Sequence, residues 1–253
     1  MTNVVALVRP PDAAPPAEHA PCAQCPAFEL TFCRAMAKKA GLPRERIPNI
    51  DQCVHTVAAR RIICREQDQL AAVPIICSGW ALSAVMLADG SRQILSFLLP
   101  GDVISPALLF EPKPNCFVEA ITTVTYRAFN RMDIQQAMGG NSSALGTLGR
   151  VWTQEKRRSD ELIVDLGRRS AAERIARLML GLVERLQERD MTSGPLEIDF
   201  PLRQHHVADA TGLTPVHVSK LLSEFRRKGL IRLSERSLTI LDLAGFRAAA
   251  NMR

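Results

Sequence analysis

From Val54 to Phe129 the apolar residues come in short runs split by turn residues, and the rhythm is that of strands: Ile62-Ile63-Cys64, Pro74 to Cys77, Leu82 to Leu87, Ile94 to Leu98 and Val118 to Ala128. Asp89-Gly90 lies between the third and fourth runs, where an Asp-Gly pair favours the positive φ of a two-strand hairpin, and Pro100-Gly101-Asp102 marks a further turn. Strands this short and this evenly spaced predict a barrel or roll. Within it Cys64 and Cys77 close apolar runs and read as small buried hydrophobes.

At Arg131 the period changes to that of a helix, sustained to Leu166. Leu145, Leu148, Trp152, Glu155, Ser159, Leu162 and Leu166 step by three and four, the a/d spacing of a two-helix seam. Glu155 and Ser159 interrupt it with polar side chains, so either the seam is marginal or this face packs on the roll. Lys156-Arg157-Arg158 falls on the solvated side. A second helix is predicted over about 170–189, opened by the capping-box pattern Ser170-Ala-Ala-Glu173 and carrying the apolar stripe Ile175, Met179, Leu182, Val183 and Leu186.

The stretch 201–228 holds two shorter helices. Val207, Ala208 and Leu213 form the apolar side of the first, and Gly212 breaks it. Thr214 is a natural N-cap and Pro215 occupies the first helical position, where its missing N–H costs nothing. In the second helix Val218, Leu221, Leu222 and Phe225 face a core, leaving Val216, Ser219, Lys220 and Ser223 on the other side. Two short helices joined by a glycine turn predict a helix-turn-helix. Leu230 to Leu233 and Ser237 to Leu241 then alternate around Glu235-Arg236 as a wing.

Charge sharpens this picture. The 253-residue chain has 32 Lys and Arg against 26 Asp and Glu. From Arg203 onward nine basic residues face four acidic ones, 9 − 4 = +5, a local field suited to a polyanion. No apolar run approaches the ~18 residues of a membrane span, and the N-terminus lacks a signal-peptide core, so a cytoplasmic protein is expected. Catalysis is not expected: the five histidines form no ligand spacing, and no nucleophile–base pair, carboxylate pair or phosphate loop is visible.

The cysteines add chemistry. Residues 1–20, rich in Pro and Ala, read as a flexible leader. Cys22-Ala-Gln-Cys25 and then Cys33 follow, in a chain with seven cysteines. An odd count without an export signal argues for metal or redox chemistry over a disulfide framework. Cys-x2-Cys lets two thiolates share one metal and a third can close over it; thiolate-rich ligation selects zinc or an iron-sulfur cluster, and the spacing does not choose. A fourth ligand must come from elsewhere: Cys53, Cys64, Cys77 or Cys116, or His19 or His55.

A strand-rich roll, a long helix and a winged helix, in that order, resemble the Crp-Fnr superfamily of bacterial transcription regulators. The segments that carry the likeness are Asp89-Gly-Ser-Arg-Gln-Ile-Leu-Ser-Phe-Leu-Leu-Pro-Gly-Asp102, Ala172-Glu-Arg-Ile-Ala176 and Gly212-Leu-Thr-Pro-Val-His-Val-Ser-Lys-Leu-Leu222, and it spans roughly residues 20 to 245. It implies an α+β chain: leader 1–20, cysteine-bearing segment 21–50, a cyclic-nucleotide-binding-like β-roll sensor at 51–132, a dimerisation helix at 133–168, and a winged-helix DNA-binding domain at 169–253. The cysteine spacing is similar to the Fnr branch, which implies a [4Fe-4S] cluster sensing oxygen or redox state and controlling dimerisation. By that alignment the branch's fourth cysteine falls at Arg127, so Cys116 is the nearest substitute and Cys53 the next. A zinc-structured or redox-active regulator answering nitric oxide or a small molecule in the roll is the alternative. The arginine that pairs with a cyclic phosphate in the cyclic-nucleotide branch is missing after Gly101-Asp102, and Lys113 is a poor stand-in, so cAMP is not expected.

For DNA the likeness implies a homodimer on a palindromic operator, with RNA polymerase as a further partner. Pro215, Val216, His217, Ser219 and Lys220 would lie at the bases, behind the Thr214 cap. Val216 or Pro215 would touch a thymine methyl and Lys220 would donate to guanine, while Arg203, Gln204 and Arg226 are suited to phosphate. Where Fnr proteins carry Glu, this chain has Val216, which removes an acceptor.

Overall fold

The computed structural model describes residues 54–138, 142–190 and 196–252. The leader and Cys22, Cys25, Cys33 and Cys53 lie outside them. Ten strands and six α-helices are described: β1 Val54–Val57, β2 Ile62–Cys64, β3 Ala72–Ser78, β4 Ala81–Met86, β5 Arg92–Leu98, β6 Phe117–Ala120, β7 Val124–Asn130, α1 Arg131–Met138, α2 Ser142–Arg168, α3 Ala171–Asp190, β8 Glu197–Asp199, α4 Gln204–Thr211, α5 Pro215–Arg227, β9 Ile231–Leu233, β10 Ser237–Ile240 and α6 Leu243–Ala249. They form two units, one of the described residues up to Val85 with Ser96–Lys156, the other of Met86–Leu95 with the chain from Arg157.

The first unit is the roll. A three-stranded sheet runs β1-β7-β3 and a four-stranded sheet runs β2-β6-β4-β5. Antiparallel register pairs Val54 with Arg127 and Ile75 with the same Arg127 from the other side. Ile63, Cys64, Val73, Ile75, Ile76, Val118, Val124 and Tyr126 belong to one buried cluster that also takes in Ile134 of α1 and Leu148 of α2. The expected hairpin forms: Gly90 sits at φ 82° and the Leu87 amide donates to the Ser91 carbonyl at 2.8 Å. At Pro100-Gly101-Asp102 the Asp102 carboxylate accepts from the Leu99 amide at 2.8 Å. Gly79 is required between β3 and β4, because φ is +81° and a Cβ there would lie 2.2 Å from the Thr123 carbonyl oxygen.

In the second unit α3 opens with the reciprocal box its sequence announces. The Ser170 amide donates to the Glu173 carboxylate at 2.8 Å and the Glu173 amide to the Ser170 hydroxyl at 3.3 Å. A third small sheet, ordered β8-β10-β9, supplies the wing. Val207, Val218, Phe225, Leu238 and Phe246 are buried, and Phe225 meets Phe246 edge to face at 5.4 Å between ring centroids. The fold is the α+β combination of roll, helices and helix-turn-helix that the alternating patterns imply.

Candidate functional site

The helix-turn-helix is set by three neighbouring residues. Gly212 ends α4 in the left-handed region, φ 66° and ψ 35°, the Thr214 hydroxyl accepts from the His217 amide, and Pro215 begins α5. Val218, Leu222 and Phe225 are buried on one side of α5. The opposite side is a solvent-open concavity lined by Gln204, Pro215, Val216, Ser219, Lys220, Ser223, Glu224 and Arg227. Val216 is 66% exposed, an apolar side chain with no core to enter. The Gln204 amide reaches the Ser219 hydroxyl at 3.4 Å, so the start of α4 is joined to this face. Arg203 and His217 are exposed beside it, as is Arg226, which donates to Ser223 at 3.0 Å.

Ser223 lies on the face the sequence assigned to it, and Glu224 and Arg227, which were not among the expected contacts, line the same concavity. Glu224 stands four residues after Lys220, one turn along, and that spacing was the signal available. Lys228 binds it at 2.7 Å and holds its carboxyl below the usual range through that hydrogen bond and charge. The acceptor absent at position 216 is thus present farther along α5.

His206 supports α4 from beneath. Its Nδ1 accepts from the Arg203 amide at 3.1 Å, its ring lies 4.0 Å from that of His205, and it is 8% exposed. Burial first, then the positive neighbours His205, Arg92 and Arg203, push its pKa down to about 3. The unfolded chain takes up that proton near the ordinary His value while the folded chain resists it. Stability is therefore complete above about pH 6.5 and is lost as pH falls toward 3, by up to about 1.4 kcal/mol per pH unit. Urea melts should show this unit weaker by ~1–2 kcal/mol at pH 5 than at pH 7. His206→Gln, which has no titratable ring, should lack that part of the slope; an unchanged slope would remove His206 as its source.

The hairpin tip in the same unit is fastened to α4. Arg92 places Nε at 2.8 Å and Nη2 at 2.7 Å from Asp209 Oδ2, and Gln93 donates to the Ala210 carbonyl at 3.4 Å. Both charges are partly screened, so a double-mutant cycle of Arg92→Ala and Asp209→Ala should give a coupling of ~0.5–1 kcal/mol. Additive losses in the same cycle would make the pair energetically silent.

Along α2, the expected seam is divided. Leu148 is buried in the roll's core, Leu162 and Leu166 are half-buried, and Glu155 and Ser159 are exposed. Leu145, Trp152, Ile163 and Val164 are exposed apolar residues, and Phe110 meets Trp152 edge to face at 6.0 Å.

Cys116, just before β6, is 4% exposed in the roll's core. Burial, then the charges of Glu155 and Glu66, push its thiol up to about 11; Cys64 is pushed to about 12 by burial and by Cys116 itself. Both settings oppose a thiolate. Cys77 is half-buried and its thiol lies 3.7 Å from the Ile75 carbonyl. Among the described residues no group of three His, Cys, Asp or Glu is placed to hold a metal, and no helix is long and apolar enough to cross a membrane.

Residues 173–249 match a model described as a Crp-like helix-turn-helix domain, and residues 54–141 match a cyclic nucleotide-binding domain. The chain is 32% identical to the nitrogen fixation regulation protein FixK of Rhizobium meliloti, over 66% of this chain and 72% of that protein. It is 26% identical to the transcriptional activator protein FnrL of Cereibacter sphaeroides, over 88% and 89%. The solved structure of FixK2 from Bradyrhizobium japonicum superposes with a TM-score of 0.69 at 25% identity, covering 78% of this chain and 96% of that one.

Proposed function

The chain belongs to the Crp/Fnr family of DNA-binding transcription regulators, and from that premise we propose that it is a homodimeric regulator whose N-terminal cysteines hold an oxygen- or redox-labile [4Fe-4S] cluster that governs operator binding. The observation that carries the DNA-binding part is the exposed polar and basic face of α5 behind its Thr214 cap. The cysteine part rests on Cys22, Cys25 and Cys33, three thiols within twelve residues.

The described residues offer one test of fit. Arg127 Nη1 is buried without a hydrogen-bond partner, on the strand paired with β1, whose first residue Val54 follows Cys53 in the sequence. A donor of that kind suits a thiolate-held, negatively charged group. For the fourth ligand we place Cys53, immediately before β1, ahead of Cys116, whose surroundings hold its thiol protonated. When bound, the cluster supplies a centre that oxygen or nitric oxide can destroy.

The chain's own residues do the rest. Leu145, Trp152 and Ile163 of α2 offer apolar surface to a second copy, while Glu155 and Ser159 keep that surface weak enough for dimerisation to respond to a coupling of a few kcal/mol. Dimerisation sets two α5 helices at the spacing of operator half-sites. We assign no cyclic nucleotide to the roll, since the cation after Gly101-Asp102 is Lys113 and not an arginine.

The test is an absorption spectrum and iron analysis of anaerobically purified protein, repeated in air. Visible colour that bleaches, with iron and sulfide in stoichiometric amounts, is expected. A colourless protein with tightly bound zinc would replace this reading by a zinc-stapled regulator.

A further inference from the structure

Arg174 stands in the first turns of α3, where its amide donates to the Ser170 carbonyl at 3.0 Å. Its guanidinium serves two other helices of the second unit. Nε donates at 3.0 Å to the carbonyl of Arg169, the residue after the end of α2, and Nη1 donates at 3.2 Å to the carbonyl of Thr211, the last residue of α4. The carbonyls at a helix C-terminus have no partner within the helix and carry its partial negative charge. Two such ends brought together repel. A permanently charged fork between them gives each a hydrogen bond instead.

The two ends do meet. A Cβ built on Gly212, the residue after Thr211, would lie 3.4 Å from the Leu166 side chain of α2 and 3.8 Å from Arg174 Nη1. The elbow between α2 and α3 is braced as well by Asp165, whose Oδ1 lies 2.9 Å from Arg169 Nε and 2.8 Å from Arg177 Nε. Beyond Gly212, the Thr214 cap begins α5 at once. The recognition helix is thereby tied to the last turns of α2, the helix whose apolar surface is assigned to a second copy. We infer that Arg174 is a positioning residue for operator binding: by holding the Arg169 and Thr211 carbonyls together it fixes the angle of α5 to α2, and with it the half-site spacing that the dimer accepts. It acts through α4 and α5 rather than by touching DNA, and the inference rests on the homodimer reading above. Lysine is a poor replacement, because one ammonium on a flexible stem lacks the rigid fork that spans two carbonyls.

The test uses anaerobically purified full-length protein and a palindromic duplex selected from random DNA by the wild type. Companion duplexes carry the same half-sites with the central spacer one base pair longer or shorter, and a last one carries a single half-site. One base pair turns a half-site by roughly 35° about the DNA axis, so a dimer with a fixed α5 angle should prefer the selected spacing. Arg174→Met should bind the selected duplex about tenfold more weakly, the worth of a hydrogen bond to a charged group, and the other duplexes nearly as the wild type does. Its spacing preference therefore flattens, with Arg174→Lys between. An arginine that only stabilises the fold would lower affinity equally on every duplex. That result, or a spacing preference unchanged in Arg174→Met, overturns the inference alone. A wild type that binds all spacings and the single half-site alike is not reading two half-sites, which overturns the homodimer reading and this inference with it. Should Arg174→Met fail to fold, Arg174→Lys decides, and a spacing preference equal to that of the wild type sinks the proposal.

Discussion

Lys220→Ala is expected to weaken binding to the cognate operator by about 1 to 3 kcal/mol, or ~5- to 150-fold, while binding to scrambled DNA changes far less. The reasoning starts from placement. Lys220 is exposed in the concave face of α5, two polar turns from the cap and beside Ser219, Ser223 and Glu224. Lys228 is committed to Glu224 at 2.7 Å, whereas Lys220 has no ion pair or hydrogen bond among the described residues. Its ammonium is available for guanine O6 or N7. Arg226 makes the contrast: it is exposed at the edge of the helix and held by Ser223, which suits a phosphate. Arg226→Ala should therefore lower affinity about equally on all sequences and reduce the salt slope by roughly one. Titrations on operator and scrambled duplexes at several salt concentrations separate the two. A uniform loss for Lys220→Ala would move that residue to the backbone and leave Val216 and Glu224 to discriminate bases.

What the sequence disclosed followed the range of its signals. Gly212, Thr214 and Pro215 act on their own backbone, so the turn and both helix ends were legible; so were Asp89-Gly90 and the Ser170–Glu173 box. The seven-residue seam of α2 was legible as one apolar face, but periodicity does not say what a face meets. Leu148 went to the roll's core while Leu145 and Trp152 stayed exposed, and Ile163, off the a/d series, stands exposed as well. An α-helix drifts ~20° per heptad, enough to pass a seam from one side chain to its neighbour. Short elements with little apolar pattern of their own were missed: β1 is Val-His-Thr-Val, β8 is Glu-Ile-Asp, and α6 is the seven-residue Leu-Ala-Gly-Phe-Arg-Ala-Ala. They exist because neighbours complete them, β1 against β7 and β8 against β10. Glu224 escaped because base contacts were sought at the start of α5, whereas the concavity extends two turns farther. The unpartnered Nη1 of Arg127 is a tertiary fact that no local pattern encodes.

The combined substitution Cys22→Ser, Cys25→Ser and Cys33→Ser should abolish bound iron and leave anaerobic protein with the operator affinity of air-exposed wild type. The loss should be ~5- to 150-fold, the range of a coupling of 1 to 3 kcal/mol. The triple variant is the right probe because a water could take the place of any one missing cysteine at the same centre. Cys116→Ser supplies the comparison. Its thiol is buried and held protonated, so the serine should cost stability through a polar atom in the core, about 1–3 kcal/mol, and leave iron content close to wild type. Iron lost in both variants would return Cys116 to the ligand set and require the roll to open around it. Iron lost in the triple variant with unchanged operator binding would be more consequential. It would mean that the interrupted seam of α2, with Glu155 and Ser159 at its centre, holds the dimer without help from the cysteines. The signal would then have to enter elsewhere in the roll.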